Sequence, residues 1–194
     1  MKKIFLIHGF EGEPNGGWRP WLMGELAKYG VYACALPMPS PEKPICKDWL
    51  AMIDYCIGKP NKDTYLVGHS LGVPAILRYL EKTKVKIGGA VLVSGPIKTK
   101  KGYRNGKLDT FFAQPFDLKL IKRKASKFTV IHGDNDQLVD ITQDEELAKL
   151  LSCELIKVKN GGHLNGSSGF RELPQALVAL KKIASLKPFK GTIY

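Results

Sequence analysis

No uninterrupted apolar run in this sequence approaches the roughly 20 residues of a membrane-spanning helix, so a helical membrane protein is excluded. Lys2-Lys3 ahead of Ile4-Phe5-Leu6-Ile7 imitates the start of an export signal. The apolar run stops at His8-Gly9, too short for such a signal, so it reads as a first strand and the expected location is cytoplasmic. Cys34, Cys46, Cys56 and Cys153 form no C-x-x-C pair, which fits reduced, partly buried thiols. Cys and His do not cluster at zinc-ligand spacing, and neither a metal nor an organic cofactor is expected. Acidic residues are few, 18 against 30 basic ones, for a net charge of +12. Arginine is scarcer still, at Arg19, Arg78, Arg104, Arg123 and Arg171 alone. The other basic residues are lysines, densest at Lys98-Thr99-Lys100-Lys101 and from Lys119 to Lys127. Lysine makes a well-hydrated face, whereas arginine is the commoner tool for gripping phosphate. The charge fits solubility, attraction of acidic substrates or non-specific nucleic-acid contact. No motif interleaves base-stacking aromatics with the basic residues, so specific nucleic-acid recognition is not expected. Repeats, low-complexity tracts and linkers are also lacking, and 194 residues suit a single compact domain, 1–194.

What is present is organised around Leu66-Val67-Gly68-His69-Ser70-Leu71-Gly72. An apolar run stops at Gly68, and a helical pattern of Val73, Ile76, Leu77 and Leu80 follows Gly72. Glycine two residues to either side of a serine, between strand and helix, is the G-x-S-x-G nucleophile elbow. Strand and helix approach closely there, leaving no room for neighbouring side chains. The corner serine is held strained and exposed at the helix N-terminus, where free N–H groups favour an anion. Pro74 suits the first turn of that helix. Taken alone, the pentapeptide is equally compatible with a glycine-punctuated turn holding an incidental serine.

The chain alternates strand and helix. Nearly all-apolar runs at 3–7, 31–36, 64–67, 87–93, 128–132 and 154–158 read as strands covered on both faces. Helical spacing joins Trp18, Trp21, Leu22, Leu26 and Tyr29, then Trp49, Leu50, Ile53, Cys56 and Ile57, then 71–81. It returns with Leu147, Leu150 and Leu151, and again with Phe170, Leu173, Leu177, Leu180, Ile183 and Ala184. The expected architecture is a three-layer α/β fold of the α/β-hydrolase type, with about six parallel strands and helices on both faces. Residues 94–126 hold no clean period. They are expected to form either a lid or pocket wall, or a plug whose aromatics pack over the sheet end. The tail from Pro188 reads as loosely attached.

In such sheets the site lies outside the carboxyl ends of the strands. His8, Ser70, Asp136 and His163 all follow strands and so belong on one edge. A serine hydroxyl needs a base, and the base an orienting acid, in the chain order serine, acid, histidine. Ser70, one of Asp134, Asp136 and Asp140, and His163 supply that order. Asp136 is the expected acid. Asp134 reads as a turn residue capping local N–H groups, and Asp140 as a helix cap. His69 and His132 read as packing or structural residues, and His8 as support for its loop. Backbone N–H groups of Phe10 and Leu71 are the expected oxyanion donors. Asn165-Gly166-Ser167 reads as loop chemistry rather than a glycosylation site.

H-G-F at 8–10, G-H-S-L-G at 68–72, G-D-N-D-x-x-V at 133–139 and G-G-H-L-N-x-x-S-G-F at 161–170 together resemble the small serine hydrolases of the YdeN and retinoblastoma-binding protein 9 family. The resemblance covers nearly the whole chain, and its last motif is the most specific. It implies a compact hydrolase lacking the first two strands of larger relatives, with nucleophile, acid and base at Ser70, Asp136 and His163. Phe111-Phe112-Ala113-Gln114-Pro115-Phe116 resembles the family's aromatic–proline stretch, which makes Phe111, Phe112 and Phe116 candidate pocket residues. The expected activity is hydrolysis of a small-molecule ester or amide, including peptide bonds, through an acyl-enzyme on Ser70. The alternative is a binding protein with marginal turnover and a protein partner, favoured if those three phenylalanines are exposed together.

Overall fold

A computed structural model of the chain describes residues 1–99 and 102–189. Lys100 and Lys101 of the first basic run, and the tail beyond 189, lie outside the described residues. Six strands form one parallel sheet: β1 (Lys3–Ile7), β2 (Tyr32–Ala35), β3 (Thr64–His69), β4 (Ile87–Val93), β5 (Ala125–Gly133) and β6 (Glu154–Val158), in the order β2-β1-β3-β4-β5-β6. The helices are α1 (Arg19–Ala27), α2 (Cys46–Ile57), α3 (Gly72–Lys82), α4 (Leu118–Lys124), α5 (Ile141–Leu151) and α6 (Pro174–Ile183).

Successive residues of a strand face opposite sides of the sheet, so an all-apolar strand feeds two cores. Phe5, Ile7, Leu66, Ala90, Leu92 and Val130 join the core shared with α2, α3 and α5. Ile4, Leu6, Val67, Val91, Val93 and Ile131 join the core shared with α1 and α6. No helix among the described residues is long and apolar enough to cross a membrane. All four cysteines are free.

Residues 94–126 are more regular than their sequence suggests. Two short 3-10 turns, Tyr103–Gly106 and Asp109–Phe111, precede α4, and β5 begins at Ala125. Helix α4 buries Ile121 alone, so it carries no apolar stripe to be read. The expectation of a loose tail from Pro188 needs correction at Phe189. Its N–H donates to the Lys28 carbonyl at 3.2 Å, and its ring lies against Gly30.

Candidate active site

Ser70 follows β3 directly, with φ of 54°. The left-handed region is strained for a residue other than glycine, at a cost of about 1–3 kcal/mol. Its N–H donates to the Val93 carbonyl at 2.9 Å, which ties the corner to β4. The flanking glycines are required for two different reasons. A Cβ at Gly68 would lie 2.7 Å from the Gly72 carbonyl oxygen, the close approach of strand to helix. A Cβ at Gly72 would instead collide with the Ile7 carbonyl at the end of β1. Gly9 makes room for the serine itself, since a Cβ there would lie 2.8 Å from Ser70 Cβ. Ser70 is half-buried and, with His163, lines a cleft of about 1030 Å³. No hydrogen bond joins Ser70 Oγ to His163 among the described residues. Such contacts often tighten only when substrate is bound.

His163 Nδ1 donates to Asp136 Oδ2 at 2.7 Å, which leaves Nε2 as the free ring nitrogen. Asp136 Oδ1 accepts from the N–H groups of Leu138 (2.8 Å) and Val139 (3.2 Å). Burial alone would raise the Asp136 pKa, but the His163 bond and these two N–H groups outweigh it and hold the carboxyl below its usual value. Among the described residues neither Asp134 nor Asp140 hydrogen-bonds to His163. Asp134 does cap, though not locally. It accepts from the Asn160 N–H of the next loop at 2.7 Å, and Asn135 accepts from the Gly162 N–H at 2.7 Å. Asp140 caps α5 through the Thr142 N–H.

Two side chains that the sequence assigns only to packing fix the His163 loop. His69 Nε2 donates to the His163 carbonyl at 2.9 Å, and Trp18 Nε1 donates to the Leu164 carbonyl at 2.8 Å. The His69 ring stands 5.0 Å from the His163 ring and 6.0 Å from Trp18. Burial, then the nearby His163, push the His69 pKa down to about 3, so it is a neutral donor.

Behind Asp136 lies a pair that sequence reasoning missed. His132 Nδ1 meets Asp144 Oδ2 at 2.6 Å, and both side chains are fully buried. His132 Nε2 meets the Val139 carbonyl at 3.1 Å and lies 3.6 Å from Asp136 Oδ2. Carbonyls and an ionised carboxylate accept only, so with Asp144 ionised both ring nitrogens donate and His132 is an imidazolium. Burial raises the Asp144 pKa and opposes that ionisation, while the His132 bond favours it. Burial opposes that charge, but the Asp144 bond and the charges of Asp144 and Asp136 prevail and raise its pKa. The Gly95 N–H also donates to Asp144 Oδ2, at 3.2 Å, while Asp144 Oδ1 and Ser94 Oγ are buried without partners among the described residues.

His8 supports its loop, with Nδ1 donating to the Gly9 carbonyl at 2.8 Å and its ring edge-on to Trp49. Neither the Phe10 nor the Leu71 N–H has a protein acceptor among the described residues. Of the three candidate pocket phenylalanines, Phe112 alone lines the cleft. Phe111 is a correction. It is fully buried against Trp49, with ring centroids 5.4 Å apart. Phe116 is another: it lines a separate, smaller cleft under the Arg78 guanidinium, 3.9 Å away. Phe111 ends its 3-10 turn and Phe112 follows it in a non-helical conformation, and the two rings enter different surroundings. The described residues of 94–117 are thus both wall and plug. Tyr103, Arg104, Leu108 and Phe112 line the cleft, while Phe111 seals the core.

Comparison with known proteins identifies a family. The family model described as serine hydrolase matches residues 4–182. YdeN of Bacillus subtilis (strain 168) is 37% identical over 175 residues, 89% of this chain and 91% of that protein. Serine hydrolase RBBP9 of Rattus norvegicus is 25% identical over 158 residues, 81% of this chain and 82% of that one. The crystal structure of the ydeN gene product from B. subtilis superposes with a TM-score of 0.90 at 36% identity, covering 95% of this chain and 100% of that chain. Est1E from Butyrivibrio proteoclasticus shares the fold, with a TM-score of 0.71 at 16% identity over 93% of this chain and 86% of its own.

Proposed function

The chain belongs to the serine hydrolase family, and from that membership we propose that it cleaves an ester or amide bond through an acyl-enzyme on Ser70. The observation that carries this reading is the 2.7 Å pair of His163 Nδ1 and Asp136, with His163 lining the same cleft as a strained Ser70. His163 Nε2 takes the Ser70 proton as Oγ bonds to the substrate carbonyl carbon. The N–H groups of Phe10 and Leu71 hold the resulting oxyanion, and their lack of a protein acceptor supports that role. Collapse breaks the bond to the leaving alcohol or amine, which receives the proton from His163. Water then gives a proton to His163 and its oxygen to the acyl carbon. Ser70 Oγ leaves, takes the proton back, and the acid is released. Asp136 keeps the tautomer that presents Nε2 and stabilises the charged ring. No step calls for a metal or organic cofactor. The unpaired thiols favour the cytoplasm as its place of work.

The joint exposure of phenylalanines that would favour the binding-protein alternative is not found among the described residues. Phe111 is buried, and Phe112 and Phe116 are half-buried over separate clefts, so the three form no exposed patch. The deciding experiment is labelling with a fluorophosphonate, which reacts with activated serines. The native protein should label, and Ser70→Ala and His163→Ala should not. A folded native protein that resists the probe sinks the proposal.

A further inference from the structure

The cleft concentrates the rarer of the chain's two cations. Five of its 30 basic residues are arginine, and three of the five (Arg19, Arg104 and Arg171) line the cleft that holds Ser70. Among the described residues Lys98 is the one lysine that lines it, paired with Glu146 at 3.0 Å in an exposed contact.

The three arginines play two parts. Arg19 is buried and donates to the carbonyls of Glu13 (2.7 Å) and Pro14 (3.3 Å), so it shapes the loop. Arg104 and Arg171 are exposed at the cleft and have neither a carboxylate partner nor a hydrogen-bond acceptor among the described residues. Arg104 arrives from the wall, with its guanidinium 4.8 Å from the centre of the Phe10 ring, on the loop whose N–H faces the reacting carbonyl in the proposed mechanism. Arg171 arrives from beyond the His163 loop, and a Cβ at Gly166 would lie 3.2 Å from its Nη1. Two acids also line the cleft, of which Glu13 lies near Arg19 and Glu11 is exposed. Arg104 and Arg171 therefore leave an excess of planar, forked donors on two loops around Ser70. Such forks match the two coplanar oxygens of a carboxylate or phosphate, which a lysine ammonium does not.

Resting on the serine hydrolase reading above, we propose that the preferred substrates carry a second, anionic group, a carboxylate or phosphate set apart from the scissile bond, which Arg104 and Arg171 bind. A neutral ester of equal length brings neither guanidinium an anionic partner.

The test compares 4-nitrophenyl hemiglutarate with its neutral isostere, 4-nitrophenyl valerate. The half-ester should be favoured about ten- to a hundredfold in kcat/KM at low salt, the scale of one or two charge-assisted bonds. Added salt should shrink the preference, and the Arg104→Gln/Arg171→Gln double variant should bring the ratio near one. Glutarate and inorganic phosphate, titrated into Ser70→Ala, give an arm independent of turnover. Binding of either that is lost in the triple variant supports the site, and the tighter of the two names its anion. A ratio of one or below in native protein that labels with fluorophosphonate overturns the proposal, as does failure of both anions to bind. Failure to label, with arginine-dependent anion binding intact, removes the hydrolase reading and leaves the anion site standing.

Discussion

The loops after β5 and β6 and the segment 94–117 line the same cleft, but different forces hold them. The two loops are stitched by buried or short bonds whose partners lie in other parts of the chain. Asp134 and Asn135 take N–H groups from the next loop, while Trp18 and His69 take the carbonyls of Leu164 and His163. Asp136 is satisfied at both oxygens, by His163 and by two backbone N–H groups. The wall depends on a few anchors: Phe111 in the core, Thr110 accepting from the Cys46 N–H, and the side chains of Arg78 and Gln143. Chemistry that needs fixed distances sits on the over-determined part, and recognition sits on the part that can vary.

The largest effect expected on this contrast comes from Asp136→Asn. The shape is kept, but the charge is lost and an amide can present its N–H to His163 Nδ1, which forces the wrong tautomer. The loss in kcat/KM on an activated ester should reach about 10⁴ if His163 works as the general base. Thermal unfolding and titration of Ser70 by the fluorophosphonate would separate this from misfolding. A loss under tenfold in a folded protein would move the acid elsewhere, with Asp134 and Asp140 the next to test.

Next in size is Asp144→Asn, which cuts the ion pair behind the acid. Leaving the His132 imidazolium buried without its partner should cost about 3–5 kcal/mol of stability. The pH dependence has a definite sign. The His132 pKa is raised above its ordinary 6.5, so its stabilisation is fully present below pH 6.5 and is lost as pH climbs through the higher folded value. The gap in unfolding free energy between native protein and Asp144→Asn should therefore narrow on the alkaline side. Asp136 acts at the other end. Its carboxyl is held below the ordinary 3.8, so its contribution is present above that pH and fails as pH falls through the lower folded value. A gap that stays constant from acid to alkali would mean that His132 is neutral.

The strands were legible because a covered parallel strand must be apolar on both faces, and the elbow because Ser70 has glycine at both required offsets. Asp136 and His163 could be expected from chain order. The Asp144 pair was hidden by distance, twelve residues from His132 across a loop and into a helix, yet it left a signal. Asp144, Leu147, Ala148 and Leu151 share the buried stripe of α5, and an acid on an apolar stripe requires a partner. Helix α4 and the wall left no such mark. Seven residues with one buried side chain have no period to detect, and Phe111, Phe112 and Phe116 look alike in sequence although their environments differ.

Arg78→Ala should release the wall without touching the floor. From α3, Arg78 donates to the carbonyls of Phe111 (3.0 Å), Gln114 and Pro115, pairs with Glu81 at 2.8 Å, and covers the Phe116 ring. Truncation removes the side-chain donor of the part-buried Phe111 carbonyl and the Glu81 pairing, at a cost of about 2 kcal/mol, while water can reach the exposed Gln114 and Pro115 carbonyls. Amide exchange should quicken across 108–117, while β5 and the loop after β6 keep their protection. Equal acceleration in both regions would show that wall and floor open as one unit.

Lys98→Met is expected to do least. Its ion pair with Glu146 joins the wall to α5, but the two side chains are 68% and 48% exposed. Water and salt screen such a pair, and ordering two long side chains offsets what attraction remains, so the loss should stay within about 0.5 kcal/mol. The firmer tether is Gln143, whose Oε1 accepts from the N–H groups of both Ile97 and Lys98 at 3.0 Å. Those bonds belong to the backbone and survive the substitution. Unfolding of Lys98→Met in low and high salt is the check. A loss above 1 kcal/mol that disappears in high salt would mean that charge, rather than backbone hydrogen bonding, joins the wall to the sheet.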